Sequence, residues 1–324
     1  MIRPVLLLAS VALIGCTVVP SVPSTGGTTA PERADRVVAL VGRVGAMALL
    51  APGPGGLRPL DGAGLPPDAA WLSGGGAMLL ATTLDGRIMQ GVAASGTGSA
   101  GAPGGFAWDP ASGDLGGNHL ERAFASLEPV TEPAAGGRPA ARRIAFVEGD
   151  PGSGAAGRLI VETLAGTEVR PIGLPRAAEG APAWLPHGRI VIVVRDQTDR
   201  PMALLADPAS GRVASAGPGT LRSVAIAGTT LATIGADGIV RVGTVTTWLG
   251  GQPGEPVRGI GAAEPVLQAQ PSVGGDELAL VVADPAGDAA SIRILAGTGG
   301  WHEIARFELP RGANRAVVGW LVGP

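Results

Sequence analysis

The stretch AWLPHGRIVIVVRDQTDR, residues 183–200, occurs a second time in altered form as AWLSGGGAMLLATTLDGR at residues 70–87. Trp184 and Trp71 fall at matching places when one residue is gapped. Each copy combines a short β-type segment, a tight turn with glycine and a second, apolar β-type segment. Self-similar segments of this kind indicate a fold built from repeated units.

Four further segments repeat the apolar strand of this unit. Matching positions in the six copies are separated by 41, 66, 46, 41 and 47 residues, and they are Val37, Met78, Ile144, Ile190, Leu231 and Leu278. Most of these intervals agree with the roughly 40–50 residues of one four-stranded propeller blade. The repeats therefore predict an all-β fold, a six-bladed β-propeller.

The one long interval contains AASGTGSAGAPGG at residues 93–105, a Gly/Ser/Ala tract that reads as a loop insertion. A degenerate seventh blade in this interval is the alternative. The tract also contains GTGSAG at residues 96–101, which matches the letters of the dinucleotide-binding pattern G-x-G-x-x-G. Because it neither follows a clear strand nor opens a helix, we interpret it as a loop.

The chain end holds NRAVVGWLV at residues 314–322, a β-type run left over after the sixth copy. The first copy has no upstream strand of its own. We expect the C-terminal run to supply that strand, since closing the ring would remove an open sheet edge.

The N-terminal segment MIRPVLLLASVALIGC has one cationic residue, an apolar run and a small residue before the only cysteine. Residues 1–15 are typical of a secretory signal peptide. LIGC resembles the lipobox of bacterial lipoproteins, which implies that Cys16 is acylated. The alternative is that Cys16 is an ordinary small hydrophobic residue. Residues 16–35 read as a flexible tether and residues 36–324 as the propeller domain.

The repeat pattern AW(L)xxxG(R)xxxxV resembles the six-bladed TolB-like and WD40-like propellers of exported bacterial proteins, including the propeller of LpqB-type lipoproteins. The SPDG turn usual in that family is replaced by LSGGG, LPHG and SVGGDE. The resemblance implies a lipid-anchored module on the extracytoplasmic face of the cell envelope. The module would bind or scaffold an envelope protein. In the most specific form of this hypothesis, it modulates a membrane sensor or a transport system.

The charge pattern excludes a nucleic-acid-binding role. The formal net charge is -3 and every cationic side chain is an arginine. A basic footprint for nucleic acid is therefore absent. The membrane, through acylated Cys16, and an envelope protein remain as the expected partners.

No linear motif predicts catalysis, a cofactor or a metal ion. His119, His187 and His302 lie in different proposed blades, without metal-ligand spacing. GGDE at residues 274–277 matches a cyclase signature by chance and best serves a turn. We therefore predict a protein that is not an enzyme. The alternatives are an exported enzyme or binder of a glycan or peptide in the central funnel, and a purely structural envelope protein.

Tryptophan supplies most of the aromatic side chains. Trp71 and Trp184 occupy matching positions, which predicts that they pack between blades. Trp248 and Trp301 lie near turns, where we expect exposure at a rim that anchors partners.

Two local predictions complete the reading of the sequence. NHLERAFASL, residues 118–127, has a possible N-cap and an apolar face, which predicts a short helix. DPASG occurs at residues 109–113 and 207–211, and DPAG at residues 284–287. Because Asp, Pro and Gly stand in the order that a turn prefers, both copies of DPASG are predicted to be hairpin turns and not cation sites.

Overall fold

A computed structural model describes residues 37–43, 46–53, 56–59, 69–75, 78–83, 88–93, 106–112, 126–128, 143–148, 155–163, 169–178, 180–258, 260, 264–272, 274–284, 289–310 and 313–320. The predicted signal peptide, the tether and Cys16 lie outside these residues. No helix within the described ranges is long and apolar enough to cross a membrane.

The described chain is built almost entirely from β-strands. In chain order they are β1 (Val37–Arg43), β2 (Ala46–Gly53), β3 (Gly56–Pro59), β4 (Ala69–Gly75), β5 (Met78–Thr83), β6 (Ile88–Ala93), β7 (Phe106–Ser112), β8 (Ser126–Leu127), β9 (Arg143–Glu148), β10 (Gly157–Thr163), β11 (Val169–Leu174), β12 (Ala183–Trp184), β13 (Ile190–Arg195), β14 (Pro201–Asp207), β15 (Arg212–Ser215), β16 (Leu221–Ala227), β17 (Thr230–Gly235), β18 (Val240–Thr244), β19 (Glu255–Pro256), β20 (Val266–Pro271), β21 (Glu277–Ala283), β22 (Ala289–Ala296), β23 (His302–Glu308) and β24 (Ala313–Trp320). One helix, α1 (Val245–Leu249), lies between β18 and β19.

These strands form six four-stranded antiparallel sheets. We number them by strand order: sheet 1 is β24-β1-β2-β3, sheet 2 is β4 to β7, sheet 3 is β8 to β11, sheet 4 is β12 to β15, sheet 5 is β16 to β19 and sheet 6 is β20 to β23. The first strand of each sheet contacts the first strand of the next, from β24 through β4, β8, β12, β16 and β20 back to β24. Sheets arranged radially around a closed ring of inner strands make a β-propeller.

The six matching positions of the repeats, which we call the anchors, account for this arrangement. Each of the six anchor positions lies in the second strand of a different sheet, which confirms the alignment of the repeats. Among those whose burial is described, β13 is buried on both faces, since Ile190 and Val191, which point to opposite faces, are each 0% exposed. Such strands read as continuous apolar runs, and each fully buried aliphatic side chain contributes about 1.5–3 kcal/mol.

The hydrophobic core lies between neighbouring sheets. One cluster joins sheets 3 and 4, a second joins sheets 4 and 5, a third joins sheets 5 and 6, and a fourth joins sheet 6 to sheet 1. Each interface therefore stabilises two sheets at once.

The predicted closure of the ring is confirmed. Strand β24 pairs with β1 along its length, from Val37 opposite Trp320 to Arg43 opposite Ala313. The side-chain amide of Gln268 in β20 donates to the carbonyl of Val318 at 3.1 Å and accepts from its N–H at 2.8 Å. The C-terminal strand is thus held on both edges.

The prediction for the first DPASG copy is wrong. Asp109, Pro110 and Ser112 belong to β7 and pair with β6 across a register shift. The second copy is a turn, as predicted: the N–H of Gly211 donates to the carbonyl of Asp207 at 2.8 Å. Asp284 follows β21, and the rest of DPAG lies outside the described residues.

The predicted helix at residues 118–127 is contradicted at its end. Ser126 and Leu127 form β8, which pairs with Ala145 and Ile144 of β9. Sheet 3 needs this inner strand, and tertiary pairing overrides a weak helical pattern. Residues 118–125 lie outside the described part of the chain.

Candidate functional site

A cleft opens at one end of sheet 5. The loop between sheets 4 and 5 and the turn between β17 and β18 meet there, since the N–H of Ala236 donates to the carbonyl of Thr220 at 3.0 Å. The cleft has a volume of about 330 Å³ and is lined by Pro218, Gly219, Thr220, Leu221, Thr233, Gly235, Ala236, Asp237, Arg241, Trp248 and Pro253. All of these residues come from one short part of the chain, residues 218–253.

Trp248 forms the floor of the cleft. Helix α1 begins after Thr244, whose hydroxyl accepts from the N–H of Thr247 at 3.2 Å. This N-cap places the Trp248 ring between sheets 4 and 5, where it is only 1% exposed. Gly217 lies directly against the ring with φ +65, and a Cβ there would overlap the ring atoms of Trp248. Glycine at this position therefore lets the loop cover the indole.

An ion pair stands at the mouth of the cleft. Asp237 Oδ2 accepts from Arg241 Nη2 at 2.8 Å, and Oδ1 accepts from Nη1 at 3.3 Å. The Arg241 hydrogen bond, followed by the backbone N–H of Ile239, lowers the pKa of Asp237 below its ordinary value of 3.8. The carboxylate in turn raises the pKa of Arg241. Both groups are charged at neutral pH and largely neutralise one another.

The lining favours binding of an apolar group. Two prolines, a leucine and an indole provide the walls and floor, while Thr220 and Thr233 add hydroxyl groups. Small-ligand sites combine a mainly apolar lining with a few polar groups in this way. The described lining contains no His, Cys or Ser, and its single carboxylate is paired with Arg241. The cleft therefore offers a mainly apolar surface with two hydroxyl groups and one ion pair.

The histidines do not converge in the described structure. His187 lies in the turn after β12 with φ +72, and His302 begins β23, where its Nδ1 is 3.0 Å from the carbonyl oxygen of Gly300. His119 and Cys16 lie outside the described residues. Within those residues, no group of three or more His, Cys, Asp or Glu side chains could hold a metal ion.

The structure confirms one of the predictions for the tryptophan side chains and contradicts two. Trp184 packs between sheets 3 and 4 with 3% exposure, as predicted. Trp248 was expected at an exposed rim, and this is wrong because helix α1 buries it. Trp301 is half-buried against the cluster between sheets 5 and 6, so it is not an exposed anchor either. The side chain of Trp71 lies outside the described ones.

Sequence reasoning missed the cleft, although part of its signal is present. The segment GADGIVR at residues 235–241 has an Asp-Gly turn and an Asp four residues before an Arg. The Thr-x-x-Thr start and the Gly-Gly end of α1 are also readable. The sequence does not show that the loop from the preceding sheet, which includes Pro218, Gly219 and Thr220, packs against this turn and completes the cleft.

Comparison with known proteins identifies no family. No family model matches the sequence, and no curated protein matches it significantly. Among solved structures, the chain is similar to the β-propeller domain of Cps50 (Swd1) from Myceliophteria thermophila, with 13% identity and a TM-score of 0.47 over 89% of this chain and 88% of that one. The propeller assignment rests on the strand pairing and the closed ring.

Proposed function

We propose that this protein is a lipid-anchored β-propeller on the extracytoplasmic face of the cell envelope, where it binds or scaffolds an envelope protein. In its most specific form the partner is a membrane sensor or a transport system that the propeller modulates. The observation that carries the proposal is a closed ring whose preformed cleft lies at the end opposite Val37, where the proposed tether would join.

The position of Val37, where the proposed tether would join, follows from the strands. Val37, the first residue of β1, pairs with Trp320 at the end of β24. Strands β24 and β20 run in the same direction, because Gln268 contacts Val318 and the carbonyl of Gln270 accepts from Trp320 Nε1. The end of β24 is therefore at the end of the ring opposite the start of β20, and so opposite the sheet-to-sheet loops that form the cleft.

This geometry suits a membrane-anchored binding module. A flexible tether of this length spans a root-mean-square distance of about 25 Å. Several acyl chains on Cys16 would hold the protein firmly at the bilayer. The tether would then leave the propeller from the membrane-facing end, and the cleft would face a partner.

Crosslinking in the native envelope tests the proposal. Wild type and Cys16→Ala would be expressed at equal levels, crosslinked and purified, and the mass of the mature N-terminus determined. We expect an acylated Cys16 and a reproducible envelope protein on the wild type, with membrane attachment lost in the variant. An unacylated mature protein would remove the anchor, and failure to capture any reproducible partner would remove the scaffold role.

The cleft itself favours a second candidate, a binder of a small ligand such as a glycan or peptide fragment. Its volume of about 330 Å³ lies at the lower end of the range for ligand sites. Thermal unfolding in the presence of glycan and peptide libraries separates the two. A ligand that raises the melting temperature, and loses this effect in Trp248→Leu, would favour the second candidate.

A further inference from the structure

The cleft lies where neighbouring junctions between sheets are filled by apolar side chains. In β17, Thr233 lies two residues after the anchor Leu231, and Gly235 lies four residues after it. At the same distances from its own anchor, β13 has Ile192 and Val194, which are buried in the cluster between sheets 3 and 4. The junction between sheets 4 and 5 therefore lacks two apolar side chains at its cleft end.

Strand β21 supports the same comparison. Its corresponding residues are Leu280 and Val282, and both are buried in the cluster between sheets 5 and 6. Among the second strands whose burial is described, only β17 has a polar side chain two residues after its anchor, since β9 has Phe146 there. Buried apolar volume stabilises such junctions, so packing alone does not explain Thr233.

The hydroxyl group of Thr233 is buried but poorly satisfied. Thr233 is 3% exposed and lines the cleft. Within the described residues, the one hydrogen bond of its Oγ1 runs to the carbonyl oxygen of Arg241 and is 3.5 Å long. A bond of this length is weak, and a buried polar group without a good partner costs free energy. A polar group of a ligand in the cleft would supply the missing bond.

The ion pair at the mouth leaves one acceptor and one donor for a ligand. Among the described residues, Asp237 Oδ2 accepts only from Arg241 Nη2, at 2.8 Å, and each carboxylate oxygen can accept twice. Arg241 Nη2 has a second N–H for which those residues provide no acceptor. Gly235 makes room for the pair, because a Cβ there would overlap the Asp237 carboxylate. An acceptor and a donor therefore lie side by side at the mouth.

The lining disfavours charged ligands and peptides. Asp237 and Arg241 neutralise one another, so a charged ligand would meet no unpaired opposite charge in the described lining. Strands β17 and β18 are paired on both edges, so they offer no free edge to an added peptide strand. The indole of Trp248 is 1% exposed, which leaves no open aromatic groove for a proline-rich peptide.

We propose that the cleft binds a neutral sugar residue. This inference rests on the second candidate function and names its ligand class. Two neighbouring hydroxyl groups of the sugar would bind Asp237 and Arg241, because each hydroxyl both donates and accepts. A further hydroxyl would complete the hydrogen bonding of Thr233. The C–H groups of the ring would contact Leu221 and the two prolines of the lining.

Ligand-observed NMR on the full-length protein, in micelles of a detergent without sugar, tests the ligand class. The probes are glucose, galactose, mannose and N-acetylglucosamine. The uronic acids and amino sugars that correspond to them are the charged counterparts, and a blocked Ala-Pro-Ala peptide is the peptide probe. We expect at least one neutral sugar to bind about tenfold more tightly than its charged counterparts. Tighter binding of a charged counterpart, or binding of the peptide alone, would overturn the proposal.

The buried hydroxyl allows a sharper test. Thr233→Val keeps the shape of the side chain and should weaken sugar binding about tenfold. Its melting temperature without sugar should equal or exceed that of the wild type, because a poorly bonded hydroxyl leaves the interior. Thr233→Ser keeps the hydroxyl and should still bind. Thr229→Val, at an exposed threonine just before β17 and at its opposite end, is the matched control.

Three results of these variants would contradict the proposal. They are unchanged sugar binding in Thr233→Val, an equal loss in the control, and a clear drop in the melting temperature of Thr233→Val. The last result would show that the hydroxyl stabilises the fold.

The outcomes also separate this inference from the function on which it rests. Thr233→Ile should fill the cleft with the side chain that β13 has at the corresponding place. If no neutral sugar binds, but another small molecule raises the melting temperature of the wild type and not of Thr233→Ile, the cleft is a ligand site and the sugar inference is wrong. If no small molecule binds, both are wrong, and a captured envelope protein would still support the scaffold role.

Discussion

The junction between sheets 3 and 4 and the junction that closes the ring between sheets 6 and 1 contain the same tryptophan hydrogen bond. Trp184 Nε1 donates to the carbonyl of Ser126 at 2.9 Å, and Trp320 Nε1 donates to the carbonyl of Gln270 at 2.8 Å. In both cases the indole is on the inner strand of the later sheet and the acceptor is on the inner strand of the preceding sheet. The equivalent bonds show that β24 occupies its place as a true member of the repeat.

The second contact at each junction is different. At the internal junction the Arg143 guanidinium lies 5.2 Å from the centroid of the Trp184 ring and binds Glu128 with an Nε to Oε2 distance of 2.8 Å. At the closing junction the buried Gln268 binds both backbone groups of Val318. Strand β24 follows sheet 6 in the chain as β12 follows sheet 3, but it must also pair in register with β1 from the other end of the chain, and a buried amide helps to specify that register.

Among the substitutions at the two junctions, Gln268→Leu should lower the free energy of unfolding most. The change leaves the N–H and carbonyl of Val318 without their partner, and each unpaired buried group costs about 1–3 kcal/mol. We expect the free energy of unfolding in urea to fall by about 3 kcal/mol. Gln252→Leu, at an exposed glutamine in the loop after α1, is the control. A loss at position 268 no greater than in this control would show that the amide does not hold the closure.

Trp320→Phe and Trp184→Phe should come next, with similar losses. Each removes the indole N–H from a partly buried carbonyl and also some packing volume, which together cost about 1–2 kcal/mol. Trp301→Phe, at a half-buried tryptophan before β23, is the control. Thermal unfolding of the three variants measures the effects. A loss at Trp320 well below that at Trp184 would mean that the closing junction is not equivalent to the internal one.

Arg143→Met should have a smaller and salt-dependent effect. Arg143 is 32% exposed and Glu128 is 23% exposed, so their ion pair is partly screened. We expect a loss of about 0.5 kcal/mol at low ionic strength that declines in about 1 M salt. Gln268→Leu should keep its full effect in the same salt, because its bonds are neutral and buried. A salt-independent loss at Arg143 would point to packing instead of charge.

The smallest expected effect is the coupling energy between Arg143 and Trp184, which a double-mutant cycle measures. Arg143→Met and Trp184→Phe should be coupled by about 0.5 kcal/mol, because the guanidinium lies over the ring. Arg143→Met and Trp320→Phe, at separate junctions, should be additive within error. Coupling of equal size in both pairs would show that the ring responds as a whole and that the contact at Trp184 is not local.

The repeat pattern was sufficient to predict the sheets, since each anchor lies in an apolar strand and the four anchors whose burial is described, Ile144, Ile190, Leu231 and Leu278, are 0% exposed. The two copies of DPASG show where local sequence is insufficient. The second copy is followed by Arg212 and Val213, which pair back onto β14. Its Asp207 carboxylate accepts from the hydroxyl of Ser210 and from the N–H of Ala209, and these bonds, chiefly the one from Ser210, lower the pKa of Asp207.

The first copy is followed by DLGGNH, which has no β-type run to fold back. Asp109 and Pro110 instead extend β7 along β6. The same five residues are therefore a turn or a strand according to which neighbour offers hydrogen bonds, and a local motif does not carry that information.

The candidate site was less predictable than the fold, because it is assembled by tertiary contacts. Trp248 lies beside a glycine-rich stretch, which suggested exposure, but the short helix α1 turns its ring into the core. The lipobox at Cys16 and its acylation stay predictions from the sequence.

Amide hydrogen exchange of the full-length protein tests the closed ring most directly. If β24 pairs with β1, peptides covering residues 313–320 and 37–43 should exchange as slowly as those covering β17 and β21, and both should exchange faster together in Gln268→Leu. Fast exchange of residues 313–320 in the wild type, at the rate of an unpaired tail, would contradict the closure of the propeller by its C-terminal strand.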